Sequence, residues 1–134
     1  MRRSLSLVLL CALRGQASSG VSSYEELVKA LDADSSRIPI SGGLFEPLWI
    51  RSDVYVTRST EMYCSSSTGS CELAVDSAFQ SGFLGTSMVH VNGKVVTLTA
   101  TRLELNGRAD EFKSGGQAKH AIRVSYGNRL VLNE

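Results

Sequence analysis

The chain has 134 residues, 43% of them hydrophobic and 20% charged, with 14 Lys and Arg against 13 Asp and Glu, a formal net charge of +1. That length suits one domain, and the charge fraction excludes a disordered polyelectrolyte. The near-neutral balance leaves no general electrostatic footprint for nucleic acid, and beyond the first segment no apolar run is long enough to span a bilayer. No reaction is displayed.

Residues 1–17, MRRSLSLVLLCALRGQA, read as a signal peptide. Arg2 and Arg3 form the positive start, Leu5 to Leu13 the apolar stretch, and Gly15 and Ala17 the small residues before a cleavage site. Cleavage is expected after Ala17, with Ser19 as second choice. The competing reading is an N-terminal helix in the core, where Arg14 would sit awkwardly. A lipoprotein is disfavoured because Leu9 and Leu10, not small residues, precede Cys11. Cleavage removes Arg2, Arg3 and Arg14, so 14 basic residues become 11 against 13 acidic ones and the net charge becomes −2. Residues 18–134 are then a single secreted domain. Cys64 and Cys71 remain, an even number in an oxidising compartment.

The first element of that domain is a helix over about 23–33. Ser23 and Glu26 have capping-box spacing, and Glu25 and Glu26 suit the positive end of the helix dipole. Tyr24, Leu27, Val28 and Leu31 form one apolar stripe. At this length the helix must dock that stripe on something.

Strands are expected after it. Pro39 and Pro47 make 37–50 an edge strand or a packed loop. Val54 and Val56 alternate with Tyr55 and Thr57. Cys71, Leu73 and Val75 form another short alternation. Residues 86–91, Asn92-Gly93 and 94–105 read as a β-hairpin, because Asn-Gly favours the two positive φ angles of a tight turn. A parity shift along the second arm predicts a bulge near Thr101 or Arg102. Asn106-Gly107 closes that arm, and 108–116 is a polar loop. Residues 118–124 alternate, 126–129 turn, and 130–132 form a last strand. No internal repeat is visible. The expected fold is α+β: one N-terminal helix packed on an antiparallel, possibly barrel-like sheet of about six or seven strands.

Cys64 and Cys71 flank the polar stretch 65–70 and are expected to form a disulfide. Six intervening residues fit a metal pair poorly, so no metal and no cofactor are expected. His90 and His120 each sit in a strand, where a lone histidine is more often structural than catalytic. No Gly-x-Ser-x-Gly elbow occurs, and Asp110 and Glu111 lie in a polar loop beside each other. Asp76 is the third carboxylate considered. No catalytic residue is assigned, and a secreted hydrolase is disfavoured. Phe79 to Gly85 is an apolar, glycine-punctuated loop that carries Phe79, Phe83 and Leu84. Trp49, with Phe45 and Leu48 nearby, is the other aromatic concentration. Trp49, Phe79, Phe83 and Leu84 are the candidate binding surface, set against the plainer reading of core residues. Lys113, Lys119 and Arg123 are too scattered for a nucleic-acid surface.

Ser22 to Leu31, SSYEELVKAL, followed by a Cys-bearing β-rich region, resembles the VirK-type secreted domain. Arg102-Leu103-Glu104-Leu105 and His120 to Val124 resemble its paired β-segments. The resemblance implies a secreted or periplasmic accessory protein, sometimes tied to host interaction, and it carries over no site.

The leading expectation is a small secreted, non-enzymatic accessory or binding protein. It is expected to be a monomer, to meet an extracellular protein or a small apolar ligand, and to use exposed strand edges or the 79–85 loop as contact surface. The alternatives are a carrier with a pocket in a curled sheet, and an inhibitor-type module presenting the Cys64–Cys71 loop.

Overall fold

The computed structural model describes residues 20–33, 35–80, 87–107 and 120–134. The expected signal peptide lies outside the described residues, as do Phe83, Leu84, Asp110, Glu111, Lys113 and Lys119.

The helix forms where its cap predicts. Helix α1 spans Tyr24–Asp32, and the Ser23 hydroxyl accepts from the Glu26 amide at 3.2 Å. The return half of the box is displaced by one residue. Glu26 Oε1 accepts from the Ser22 amide at 2.8 Å and the Ser22 hydroxyl at 3.1 Å. Leu27, the middle of the stripe, is fully buried.

The strands are β1 (Arg37–Ile40), β2 (Leu48–Ser52), β3 (Val54–Val56), β4 (Thr60–Cys64), β5 (Cys71–Gln80), β6 (Ser87–Val91), β7 (Thr97–Thr101), β8 (Leu103–Asn106), β9 (His120–Val124) and β10 (Arg129–Asn133). They form three sheets, ordered β1-β4-β7-β10, β2-β5-β8 and β3-β6-β9. Every pairing is parallel. The chain therefore visits the three sheets in the same cyclic order on each pass, which is the path of a three-sided parallel β-helix. Three passes and the start of a fourth are described.

This corrects the expected antiparallel sheet. Period-two alternation normally marks an antiparallel sheet, because parallel sheets are usually covered on both faces. In a β-helix one face of every parallel strand lines the interior and the other faces outward, so the alternation is the same. Burial along β2 and β3 shows it, with Leu48, Ile50, Val54 and Val56 inside and Trp49 and Tyr55 outside.

The expected hairpin is also corrected. Strands β6 and β7 flank Asn92-Gly93 but belong to different sheets. Asn92 instead begins a corner, and its amide donates to Val56 of the preceding turn at 3.0 Å. The expected bulge at Arg102 is a second corner. Arg102 takes φ +54° and turns the chain from the sheet of β7 into that of β8.

Stacked side chains fill the interior. Ile38 registers with Met62, Met62 with Ala100, and Ala100 with Leu132. Leu48, Leu73 and Leu105 stack on the second side, and Val54, Val89 and Ile122 on the third. Such a solenoid is stabilised by contacts between successive turns. The end near the first turn is closed: α1 lies against β2 and β3, and Val21 bridges to Ile40 along the outer edge of β1. Pro39, which has no amide hydrogen, sits in that edge strand and accepts from the Val21 amide at 2.8 Å, as its edge placement predicts.

Candidate functional site

The candidate residues separate into three places on the solenoid.

The first is the corner between β4 and β5. Cys64 ends one strand and Cys71 begins the next, and they form a disulfide with Cα atoms 5.4 Å apart. Both are fully buried. The loop they close is braced by Arg102, whose guanidinium donates to the Ser66 carbonyl at 3.2 Å and to the Cys64 carbonyl. Ser70 donates to Glu104 at 2.8 Å. Ser67, Thr68, Ser70, Arg102, Glu104 and Asn133 contribute to the lining of a groove of about 590 Å³ here. Hydroxyls, a guanidinium and carboxylates share its wall with Leu103 and further apolar surface.

The second place is a buried polar cluster beneath α1. Asp53 stands between β2 and β3, where Ser52-Asp53 interrupts the apolar alternation. Its carboxylate lies 3.0 Å from His90 Nε2, and it accepts from the Tyr55 hydroxyl and the Ser52 hydroxyl at 3.2 Å each. The Tyr55 ring stacks on His90, with centroids 4.6 Å apart. Burial, then the charge of Asp53 and its hydrogen bond, push the Tyr55 phenol above its ordinary value. The Asp53 and His90 side chains are only 3% and 4% exposed. An Asp–His pair can orient an imidazole for proton transfer, but a working base must reach substrate. This pair is enclosed, and among the described residues no hydroxyl or thiol nucleophile bonds to His90. Asp53 and Tyr55 were not singled out in the sequence. Their signal was weak: one carboxylate breaking an alternation. Asp76 is apart from the cluster and accepts from the Ala78 amide at 2.8 Å.

The third place is the last described turn of the solenoid, β8-β9-β10. These strands are outermost in their three sheets, and among the described residues none pairs with their outer edges. Their inward side chains continue the core stacks but are incompletely covered. Leu132 is 67% exposed and Val124 37%, while Leu103, Leu105, Ile122 and Leu130 are half-buried. The same stacks are fully buried one turn earlier, at Leu73, Val91 and Leu98. An edge of unpaired amides and carbonyls beside apolar side chains is a template for strand addition.

Of the residues chosen from the sequence as a binding surface, Phe83 and Leu84 lie outside the described residues, and the two described ones face different ways. Trp49 faces outward from β2 and is partly exposed, Phe79 is buried, and Phe45 is fully exposed. The described interior is filled by stacked aliphatic side chains, so the expected pocket inside a curled sheet is not where Trp49 points. Among the described residues, no helix is long and apolar enough to cross a membrane. No family model, curated protein or solved structure matches the chain.

Proposed function

We propose that the protein is a small secreted, non-enzymatic binding module that engages a protein partner through the outer edge of β8, β9 and β10. The observation that supports this reading is the difference between the two ends of the solenoid. At the first turn, α1 and Val21 cover the core and the edge. At the last described turn, Leu132 and Val124 remain exposed beside strands whose outer edges pair with nothing among the described residues. Strand addition there would supply main-chain hydrogen bonds, and the apolar side chains would supply burial. The Cys64–Cys71 disulfide suits an oxidising destination. The enclosure of Asp53 and His90 favours a structural role for the most enzyme-like pair. The VirK-type resemblance points toward the same class of accessory protein.

Cross-linking of tagged protein in the medium of an exporting cell tests the reading. Wild type and a Lys29→Glu control at the capped end should yield the same cross-linked species. The double variant Val124→Lys, Leu132→Lys should lose it while keeping its thermal unfolding transition. Equal capture by all three proteins would reject the edge as the contact surface.

A further inference from the structure

We infer that the partner for this edge is a second copy of the chain, joined end to end about a two-fold axis through β9. The inference rests on the reading of the β8-β9-β10 edge as an interaction surface. Its support is that the last turn is complementary to itself.

A solenoid climbs as it turns, so its last three described strands stand as steps of a staircase. Two such staircases meet without a gap only when the axis passes through the middle strand. Strand β9 then lies antiparallel to β9 of the second copy, and β8 lies antiparallel to its β10. A two-fold contact of this kind uses one patch twice and closes on itself.

The side-chain parity of these strands permits that pairing. In β8, Leu103 and Leu105 face inward, in register with Cys71 and Leu73. In β10, Leu130 and Leu132 face inward, in register with Leu98 and Ala100. One antiparallel register sets Leu103 opposite Leu132 of the second copy and Leu105 opposite its Leu130. All four leucines then continue one apolar face. The same register puts Glu104 diagonal to Arg129 of the second copy on the outer face, with Asn106 directly opposite that arginine. Glu104 and Arg129 are both exposed. The symmetry forms this opposite-charge pair twice. At the axis, Ile122 meets Ile122, and each Arg123 lies opposite Ala121 and diagonal to Arg123 of the second copy, on the outer face where both are solvated. The most exposed inward residue, Leu132, then lies against Leu103 of the second copy.

Sedimentation of the oxidised, exported protein across roughly 1–100 µM, the range in which modest interfaces associate, tests the pairing. The expected result is a monomer–dimer equilibrium. Glu104→Arg alone and Arg129→Glu alone should each weaken it about tenfold or more, because each sets like charges together twice. The double variant Glu104→Arg, Arg129→Glu should return to within about threefold of wild type. Unchanged thermal unfolding checks that each variant is folded. A monomer at every concentration overturns the inference, as does a dimer indifferent to all three charge variants. The cross-linking comparison distinguishes these failures from failure of the parent reading. A monomer whose edge variant still loses its extracellular partner means that the edge is right and the occupant is a different protein.

Discussion

His90 Nε2 lies 3.0 Å from Asp53 Oδ2, beneath the stacked ring of Tyr55, in a place nearly closed to water. The pair joins the third strand of one turn to the third strand of the next, with Asp53 at the corner that opens β3 and His90 in β6. Its chemistry resembles half of a catalytic triad, and its burial makes it a cross-link between turns. Removal of Asp53 strands a buried imidazole. Asp53→Ala should cost about 1–3 kcal/mol. Tyr55→Phe, which deletes one hydroxyl from an outward-facing, exposed ring, should cost less, about 0.5–1.5 kcal/mol. Urea unfolding checks this, with a lower midpoint and unchanged slope expected for both. An Asp53→Ala midpoint equal to wild type would remove the cluster from the account of stability.

The disulfide closes a short loop at a corner rather than joining distant parts of the fold. Eight residues from Cys64 to Cys71 give a chain-entropy contribution of roughly 2.5 kcal/mol. The double variant Cys64→Ser, Cys71→Ser should lose at least that much, because two hydroxyls then replace sulfurs in a fully buried site. Both sulfurs are enclosed, so brief exposure to a mild reductant under native conditions should leave the bond intact. Intact-mass measurement before and after unfolding in the reductant checks this: the gain of about 2 Da should appear only after unfolding. Rapid reduction of the native protein would show that the corner opens readily.

Acid and alkali should act on different faces of the solenoid. The hydrogen bonds from Arg37 and then Thr101 hold the Glu61 carboxyl below its ordinary value of 4.5. A lowered folded value means that the contribution is present above 4.5 and is lost as pH falls through the folded value. The effect is modest, because Arg37 is largely exposed. At Tyr55 the sign reverses. Its raised phenol favours the neutral form, so the contribution holds below 10.0 and declines as pH rises through the folded value. Glu61→Gln should flatten the acid limb of a stability–pH profile, and Tyr55→Phe the alkaline limb. A Glu61→Gln profile parallel to wild type below 4.5 would refute the first assignment.

Two glycines of nearly equal φ should respond differently to alanine. Gly43 has φ +90° and a Cβ there would stand 2.5 Å from the Glu72 carbonyl oxygen. The Gly43 carbonyl also accepts from the Glu72 amide at 2.9 Å, which ties the β1–β2 corner to β5. Gly127 has φ +88°, and a Cβ there would meet nothing within 4 Å. Gly127→Ala should cost only the left-handed backbone, about 1–2 kcal/mol. Gly43→Ala adds a backbone clash that no rotamer relieves, and should cost more, about 3 kcal/mol or above. Thermal unfolding of the two variants side by side gives the comparison. Equal losses would mean that the corner at Gly43 yields without effort.

Local features were determined by the sequence alone. The Ser23 cap and the stripe through Leu27 specify α1, because both depend on residues three or four apart. Pro39 keeps β1 at an edge by lacking an amide hydrogen. The alternation of Val54 with Val56, and of Leu73 with Val75, marks strands with one face inside. Two cysteines on either side of a short polar stretch indicate their own bridge. Tertiary structure decided how the strands associate, because a period of two is the same in parallel and antiparallel sheets. The Asn92-Gly93 pair illustrates the ambiguity: its residues suit a hairpin, yet β6 and β7 each find a partner in another turn. The repeat itself is hidden by unequal corners. Ile38 stacks on Met62 after 24 residues, Met62 on Ala100 after 38, and Ala100 on Leu132 after 32. The polar loop before Cys71 and the corner at Asn92 vary in length while the strand spacing does not. A solenoid requires that side chains return to the same height on each side, not that they return at a fixed count. The candidate surface was hidden for the same reason. Leu103, Ile122 and Leu132 read as ordinary core residues, and only the order of the strands sets them in the last described turn, where nothing among the described residues pairs with their outer edges.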